Sequence, residues 1–241
     1  ISVLYGKQMK VDPKNPNWEG RDYLVMSKGH AAPAVEAALA ELGFFDKKLL
    51  LTMDDIGTRI PSHVDRLLTP GIDVTCGSLG QGASVAAGIA YGLKHAGISN
   101  QHVYVCIGDG ELNEGQNWEA FQFMAHNKLN NCIVFIDNNK RQHDGYCDEV
   151  LKPFSYEEKM KAFGFWCKTV DGASEEAIDD GINEAKAVKD QAVCIVLDTI
   201  KGQGVKYYEE MPDNHAPKVF EEGRAVIDAA ILELRKITEE E

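Results

Sequence analysis

The chain has 241 residues, 44% of them hydrophobic and 26% charged, proportions that suit one sizeable α/β domain. Its formal charge of −13, from 38 acidic and 25 basic residues, comes without a basic patch and argues against a nucleic-acid binder. No run approaches 18 consecutive apolar residues, so no transmembrane helix is expected. Cysteines at 76, 106, 132, 147, 167 and 194 form no Cys-x-x-Cys or His-Cys cluster. Most stand inside apolar runs, which predicts buried, reduced thiols in a cytoplasmic protein rather than a zinc site or a redox pair. The chain begins at Ile1 with no signal-peptide pattern, and residues are expected to be missing from its start.

Helical and apolar segments alternate along the chain. Residues 31–42 read as a helix, with Pro33 in its first turn and Gly43 as its stop. Residues 80–96 form a second helix rich in Gly and Ala. Interior Gly costs about 1 kcal/mol each relative to Ala, so another backbone or a ligand is expected close by. A strand at 102–107, a helix at 114–127 and a strand at 132–137 follow. Ser155 caps a helix over 155–163, with Glu158 completing a capping box. A strand at 165–170, a helix at 174–189, a strand at 192–198 and a tail helix from about 218 to 238 complete the pattern. Apolar runs without strict alternation, separated by helices, predict a mostly parallel sheet with helices on both faces. No repeat or linker divides residues 1–241.

The chemistry concentrates at two strand ends. Gly108-Asp109-Gly110 directly follows one apolar strand, and Asn138-Asn139 directly follows the next, with 27 residues between Gly110 and Asn138. Open α/β sheets bind ligands at the carboxyl ends of their strands. Asp109 offers an anionic oxygen, Asn139 a neutral one, and a backbone carbonyl at Arg141 a third. With diphosphate oxygens and water these complete an octahedron suited to Mg²⁺, with Ca²⁺ or Mn²⁺ as substitutes. Gly110 is expected to let backbone approach a phosphate. Glu114 opens a helix whose amides favour anions.

These motifs resemble the thiamine-diphosphate signature, and the surrounding text is similar to transketolase. The resemblance is carried by Ser27-Lys28-Gly29-His30-Ala31-Ala32-Pro33, by Gly77-Ser78-Leu79-Gly80-Gln81-Gly82 and by Gly108-Asp109-Gly110-Glu111-Leu112-Asn113-Glu114-Gly115. Ala162-Phe163-Gly164-Phe165 and Lys201-Gly202-Gln203-Gly204 extend it, in the family's order, from about residue 12 to 217. The resemblance implies a single thiamine-diphosphate-binding domain, the pyrophosphate-binding part of transketolase, over 1–241, with the family's earliest segment missing. It further implies the smaller chain of a split enzyme, with a pyrimidine-binding partner subunit in an α₂β₂ assembly.

The resemblance also assigns residue roles. Asp109 and Asn139 would hold the metal by side chains, and Arg141 by its carbonyl. Gly108, Gly110, Gly77 and Leu79 would face the cofactor, the last two toward its aminopyrimidine. Lys28 and Lys201 would offset diphosphate charge. Glu114 matches the acid of a relay linking two active sites, although a helix N-terminus also favours an acid there. His30, His63 and His215 match histidines around the substrate; singly, each reads as an ordinary loop histidine. His63 lies in Pro61-Ser62-His63-Val64 and His215 in Asn214-His215-Ala216-Pro217, phrasings that depart from the family's and leave room for a donor with another anionic group. His143 falls beside the cofactor by position, with a surface histidine as its alternative.

The implied reaction moves a two-carbon ketol unit from a ketose phosphate to an aldose, with the cofactor as electron sink. Cofactor activation in the family needs a Glu of the pyrimidine-binding domain, and no motif here replaces it. A deoxyxylulose-phosphate synthase, one chain of a 2-oxo acid dehydrogenase and a non-catalytic metal- or nucleotide-binding module stay open as alternatives.

Overall fold

Strands whose residues are apolar on both faces need cover on both faces, and the chain supplies it. The structure, a computed structural model, describes residues 1–212, 214–215, 217 and 221–240. A short helix at Leu4–Gln8 is followed by β1 (Tyr23–Met26), α1 (Ala32–Glu41), α2 (Gln81–His95), β2 (Val103–Gly108) and α3 (Gly115–His126). Next come β3 (Cys132–Asn138), a small hairpin of β4 (Arg141–Gln142) and β5 (Gly145–Tyr146), α4 (Cys147–Val150) and α5 (Tyr156–Ala162). The chain continues through β6 (Phe165–Asp171), α6 (Glu175–Ala187), β7 (Ala192–Asp198), α7 (Lys206–Glu209) and α8 (Glu221–Glu240). The main sheet has the order β1-β2-β3-β7-β6, and every neighbouring pair is parallel.

Alternation within each strand sorts the core into two layers. Val103, Val105 and Ile107 of β2 and Val134 and Ile136 of β3 pack with Ala83 and Ala86 of α2 and Phe121 and Met124 of α3. Tyr104, Ile133 and Phe135 face the other way, onto Leu39 of α1, Ile182 of α6 and Leu4. The connections leave the carboxyl ends of all five strands at one edge of the molecule.

The expected helices and strands are present within a few residues of their expected ends. Ser155 caps α5, its Oγ accepting the Glu158 N–H at 3.1 Å. Gly43 stops α1 in the left-handed region at φ +87°. Sequence reasoning missed the helix at Leu4–Gln8, the β4–β5 hairpin, α4, α7 and, in the main sheet, strand β1. Its four residues are too few to show a period, and register with β2 defines it. All six cysteines are free, but Cys106, opposite Met26 at the last residue of β1, is only half-buried, against the expectation for the set. Residues 218–220, where the tail helix was expected to start, and Glu241 lie outside the described residues.

The Gly-rich helix α2 combines two situations. A Cβ at Gly82 would stand 2.3 Å from Ser27 Oγ and 2.8 Å from Ser27 Cα, because the end of β1 packs against the helix backbone there. Gly88 faces open space, with nothing within 4 Å of such a Cβ. Gly82→Ala is therefore expected to destabilise the chain by about 1–3 kcal/mol through overpacking. Gly88→Ala should stabilise it by about 0.5–1 kcal/mol by lowering the entropy cost of the helix. Urea denaturation of the two variants checks both signs.

Candidate active site

Four of the five strands deliver polar residues to the shared edge. Beyond β1 come Ser27 and Lys28, beyond β2 Asp109, at and beyond the end of β3 Asp137 and Asn139, and beyond β7 Thr199 and Lys201. Two cavities of about 350 and 300 Å³ open there and share Lys28, His30, Asn139, Lys201 and His215. Asp109, Arg141, Gly108, Gly110, Leu79, Glu114 and His143 line the second.

Asp109 and Asn139 sit one strand apart, as their spacing predicts, because β2 and β3 are in register up to Gly108 and Asp137. The Asp109 carboxylate is buried and accepts the Gly110 N–H at 2.7 Å and the Lys140 N–H at 2.6 Å. Burial raises its pKa against the pull of those two amides. Asn139 Oδ1 accepts the Arg141 N–H at 3.1 Å. The Arg141 guanidinium turns away, donating to the carbonyls of Met211 and Pro212 and lying 4.3 Å over the Tyr146 ring. A carboxylate, an amide oxygen and a backbone carbonyl are hard donors that suit Mg²⁺ or Ca²⁺ rather than a thiophilic metal. Among the described residues no group of three or more His, Cys, Asp and Glu gathers as a metal cage, so an ion here needs oxygens from a bound anion. The buried, amide-bound Asp109 and the flanking lysines fit a diphosphate and a hard divalent cation.

Asp137, which sequence reasoning passed over, organises the charges. It pairs with Lys28, accepts from Thr199 Oγ1 at 2.5 Å and accepts from Asn139 Nδ2 at 3.3 Å. Burial opposes both charges of the pair, and their attraction outweighs it: the Lys28 ammonium is held above its ordinary range and the Asp137 carboxyl below. Lys201 has no such carboxylate. Burial lowers its pKa, nearby Lys28 adds to the effect, and its Nζ lies 2.8 Å from His215 Nδ1. An ammonium can only donate, so that nitrogen accepts.

Glu111 is the other residue missed. It is buried, and its carboxylate accepts from Ser27 Oγ, from the Gly80 N–H at 2.7 Å and from the Gly108 N–H at 3.0 Å. One side chain thus ties together the turns carrying Lys28, Leu79 and Asp109. An acid two residues after Asp109 was visible in the sequence, but its partners come from distant segments.

The remaining expectations divide. His30 lies in the turn Gly29–Ala31 that leads into α1, its ring 5.1 Å from that of His215, which is 5.1 Å from that of His143. These three histidines form one row. Loss of hydration, then the positive fields of His215, Lys28 and Lys201, pull the His30 imidazole down to about 4, leaving it neutral at pH 7. His63 stands apart from the two cavities, against Gly29 and Gly77, where a Cβ on Gly29 would meet its Cδ2 at 2.7 Å. Gly77 and Leu79 are exposed, and the Leu79 carbonyl accepts from Gln116 Nε2 at 3.2 Å. The space over Gly110 is taken by Gln142, whose Cβ would lie 2.6 Å from an added Cβ, so a protein contact also requires glycine there. Glu114 occupies the N-cap position of α3 without a capping hydrogen bond and is exposed. Ala216, part of the motif around His215, lies outside the described residues.

An open parallel α/β sheet with an acid–amide oxygen pair and two lysines at its strand ends has the makings of a ligand-binding α/β domain. The family model for the thiamine diphosphate binding domain of transketolase matches residues 1–229. The 6-deoxy-6-sulfo-D-fructose transketolase subunit SqwG of Clostridium sp. (strain MSTE9) is 43% identical over 98% of this chain and 84% of its own length. One of the subunits of the apulose-4-phosphate transketolase of Actinobacillus succinogenes is 34% identical over 89% of this chain and 77% of its own. Transketolase from Campylobacter jejuni superposes with a TM-score of 0.86 at 29% identity over 95% of this chain, which spans 37% of that one. The chain belongs to the transketolase family, as its thiamine-diphosphate-binding part.

Glu111→Gln turns an amide N–H₂ toward donors, leaving a buried group unpaired; stability in urea should fall by about 1–3 kcal/mol, and thiamine diphosphate affinity with it. The His30 ring should titrate well below 6.5 by NMR in the wild-type chain, and Lys201→Gln should move its midpoint upward by removing a nearby positive charge.

Proposed function

We propose that this chain is the cofactor-holding subunit of a two-chain transketolase, transferring a two-carbon ketol unit from a ketose to an aldose. The observation that carries this reading is the pairing of Asp109 with Asn139 at adjacent strand ends, between Lys28 and Lys201 and beside a neutral His30. Asp109, Asn139 and the Arg141 carbonyl would hold the divalent cation, Mg²⁺ in the first place. Lys28 and Lys201 would balance the diphosphate. When bound, thiamine diphosphate supplies an electron sink for cleavage beside the donor carbonyl. The neutral His30 imidazole can accept a hydrogen bond from a sugar hydroxyl and orient it. His215 and His143 extend the same row, and His63 would approach the substrate from the Gly29–Gly77 side.

Two relatives that are named as transketolase subunits, and that this chain nearly spans, support a second polypeptide as partner. An α₂β₂ assembly would place Glu114 near its symmetry mate across a two-fold contact. Likeness to a subunit of the sulfofructose enzyme supports a donor with an anionic tail, sulfonate or phosphate. The free thiols support a reducing, cytoplasmic setting.

The purified chain with Mg²⁺ and thiamine diphosphate should show no ketol transfer from 6-deoxy-6-sulfo-D-fructose or fructose 6-phosphate. Adding a second chain that carries the pyrimidine-binding domain should start it. In that complex Asp109→Ala should abolish Mg²⁺-dependent cofactor binding, and Glu114→Gln should reduce turnover or assembly mass without unfolding the chain. Turnover by the chain alone, or wild-type cofactor binding by Asp109→Ala, would refute the reading.

A further inference from the structure

A third cavity, of about 240 Å³, shares no residue with the two at the strand ends and is lined by Arg59, Arg66, Asn17, Leu68, Gly71 and Asp73 among others. Its walls are held firmly. Ile60 is fully buried, Thr69 is buried with its Oγ1 donating to the Arg59 carbonyl at 2.6 Å, and the Leu68 and Thr69 N–H groups both donate to the Asp65 carbonyl. Arg59 and Arg66 therefore stand on an ordered turn.

The charges here do not balance. Arg59 uses only Nε, donating to the Leu68 carbonyl at 2.8 Å, and its terminal amino groups have no partner among the described residues. The Arg66 guanidinium likewise has none there; only its backbone N–H is engaged, with Thr75. Two acids of the same segment, Asp65 and Asp73, are already committed. Asp73 takes Arg21 Nε at 2.9 Å and the Leu24 N–H, and Asp65 takes the Leu67 N–H at 2.8 Å and Thr75. By contrast Arg21, paired with Asp73 of the same wall, has its acid.

We propose that this cavity binds a compact oxyanion, phosphate or sulfate in form, between the Arg59 and Arg66 guanidiniums. Their planar donor forks match the spacing of such oxygens and prefer them to a monatomic anion. Arg59 lies four residues before His63 in the same loop, so an occupant would brace the segment that carries that histidine.

The test is calorimetric titration of the full chain with inorganic phosphate and with sulfate, ionic strength held constant with KCl. A Lys201→Gln background lowers competition from the strand ends, where Lys28 is already paired with Asp137. Saturable one-site binding is expected, weakened at least about ten-fold by Arg59→Gln and by Arg66→Gln, the scale of losing one charge-assisted hydrogen bond. Arg66→Gln breaks no side-chain hydrogen bond or ion pair among the described residues, so its melting temperature in KCl alone should match the parent and separate lost binding from lost folding. Absence of saturable binding, or binding that both arginine variants retain at parent affinity, overturns the proposal.

Discussion

A carboxylate shut away from water must be neutral or fully hydrogen-bonded, and Glu111 meets that demand with donors from three turns. Ser27, Gly80 and Gly108 lie far apart in the chain and converge on it. Each of these residues immediately precedes, or lies next to, a residue that faces the candidate cofactor cavity: Lys28, Leu79 and Asp109. The placement of those groups follows from a buried side chain that itself need not touch the cofactor. The close contact of Gly82 with Ser27 belongs to the same cluster, since a bulkier residue there would push β1 away from Glu111.

The electrostatics at the strand ends have a similar economy. Lys28 and Asp137 neutralise each other within the dry part of the cleft. Asp109 on one side and Lys201 on the other have no opposite charge in hydrogen-bond contact among the described residues. A hard dication satisfies the first and a polyanion the second, which is the combination that a metal–diphosphate pair supplies. Loss of hydration and then the same positive groups keep His30 neutral, so its imidazole can accept a hydrogen bond from a hydroxyl.

Helix α2 links this site to whatever stands beside it. Its buried face, Gly82, Ala83, Ala86, Ala87 and Ala90, packs on the sheet, while Ser84, Val85, Gly88 and Gly92 remain exposed on the other. Exposed Gly77 and Leu79 at its start present backbone to one side of the cavity. In the two-chain reading those surfaces meet the second subunit.

The parallel α/β class, most of the longer helices and strands, and the pairing of Asp109 with Asn139 were legible in the sequence alone. Each of these is local: apolar period, caps at Ser155 and Gly43, and short motifs directly after apolar runs. Strand β1 escaped because four residues carry no period and only its register with β2 makes it a strand. Glu111 and Asp137 escaped because their partners, Ser27, Gly80, Lys28 and Thr199, are separated from them by tens of residues, and a sequence pattern carries no distances. For Gly110 the motif named the residue and the tertiary structure supplied a further reason, the Gln142 side chain pressed against it. The row of His30, His215 and His143 is likewise a product of folding. Three histidines from three loops, each ordinary alone, become one site because the parallel crossovers return every strand's carboxyl end to the same edge.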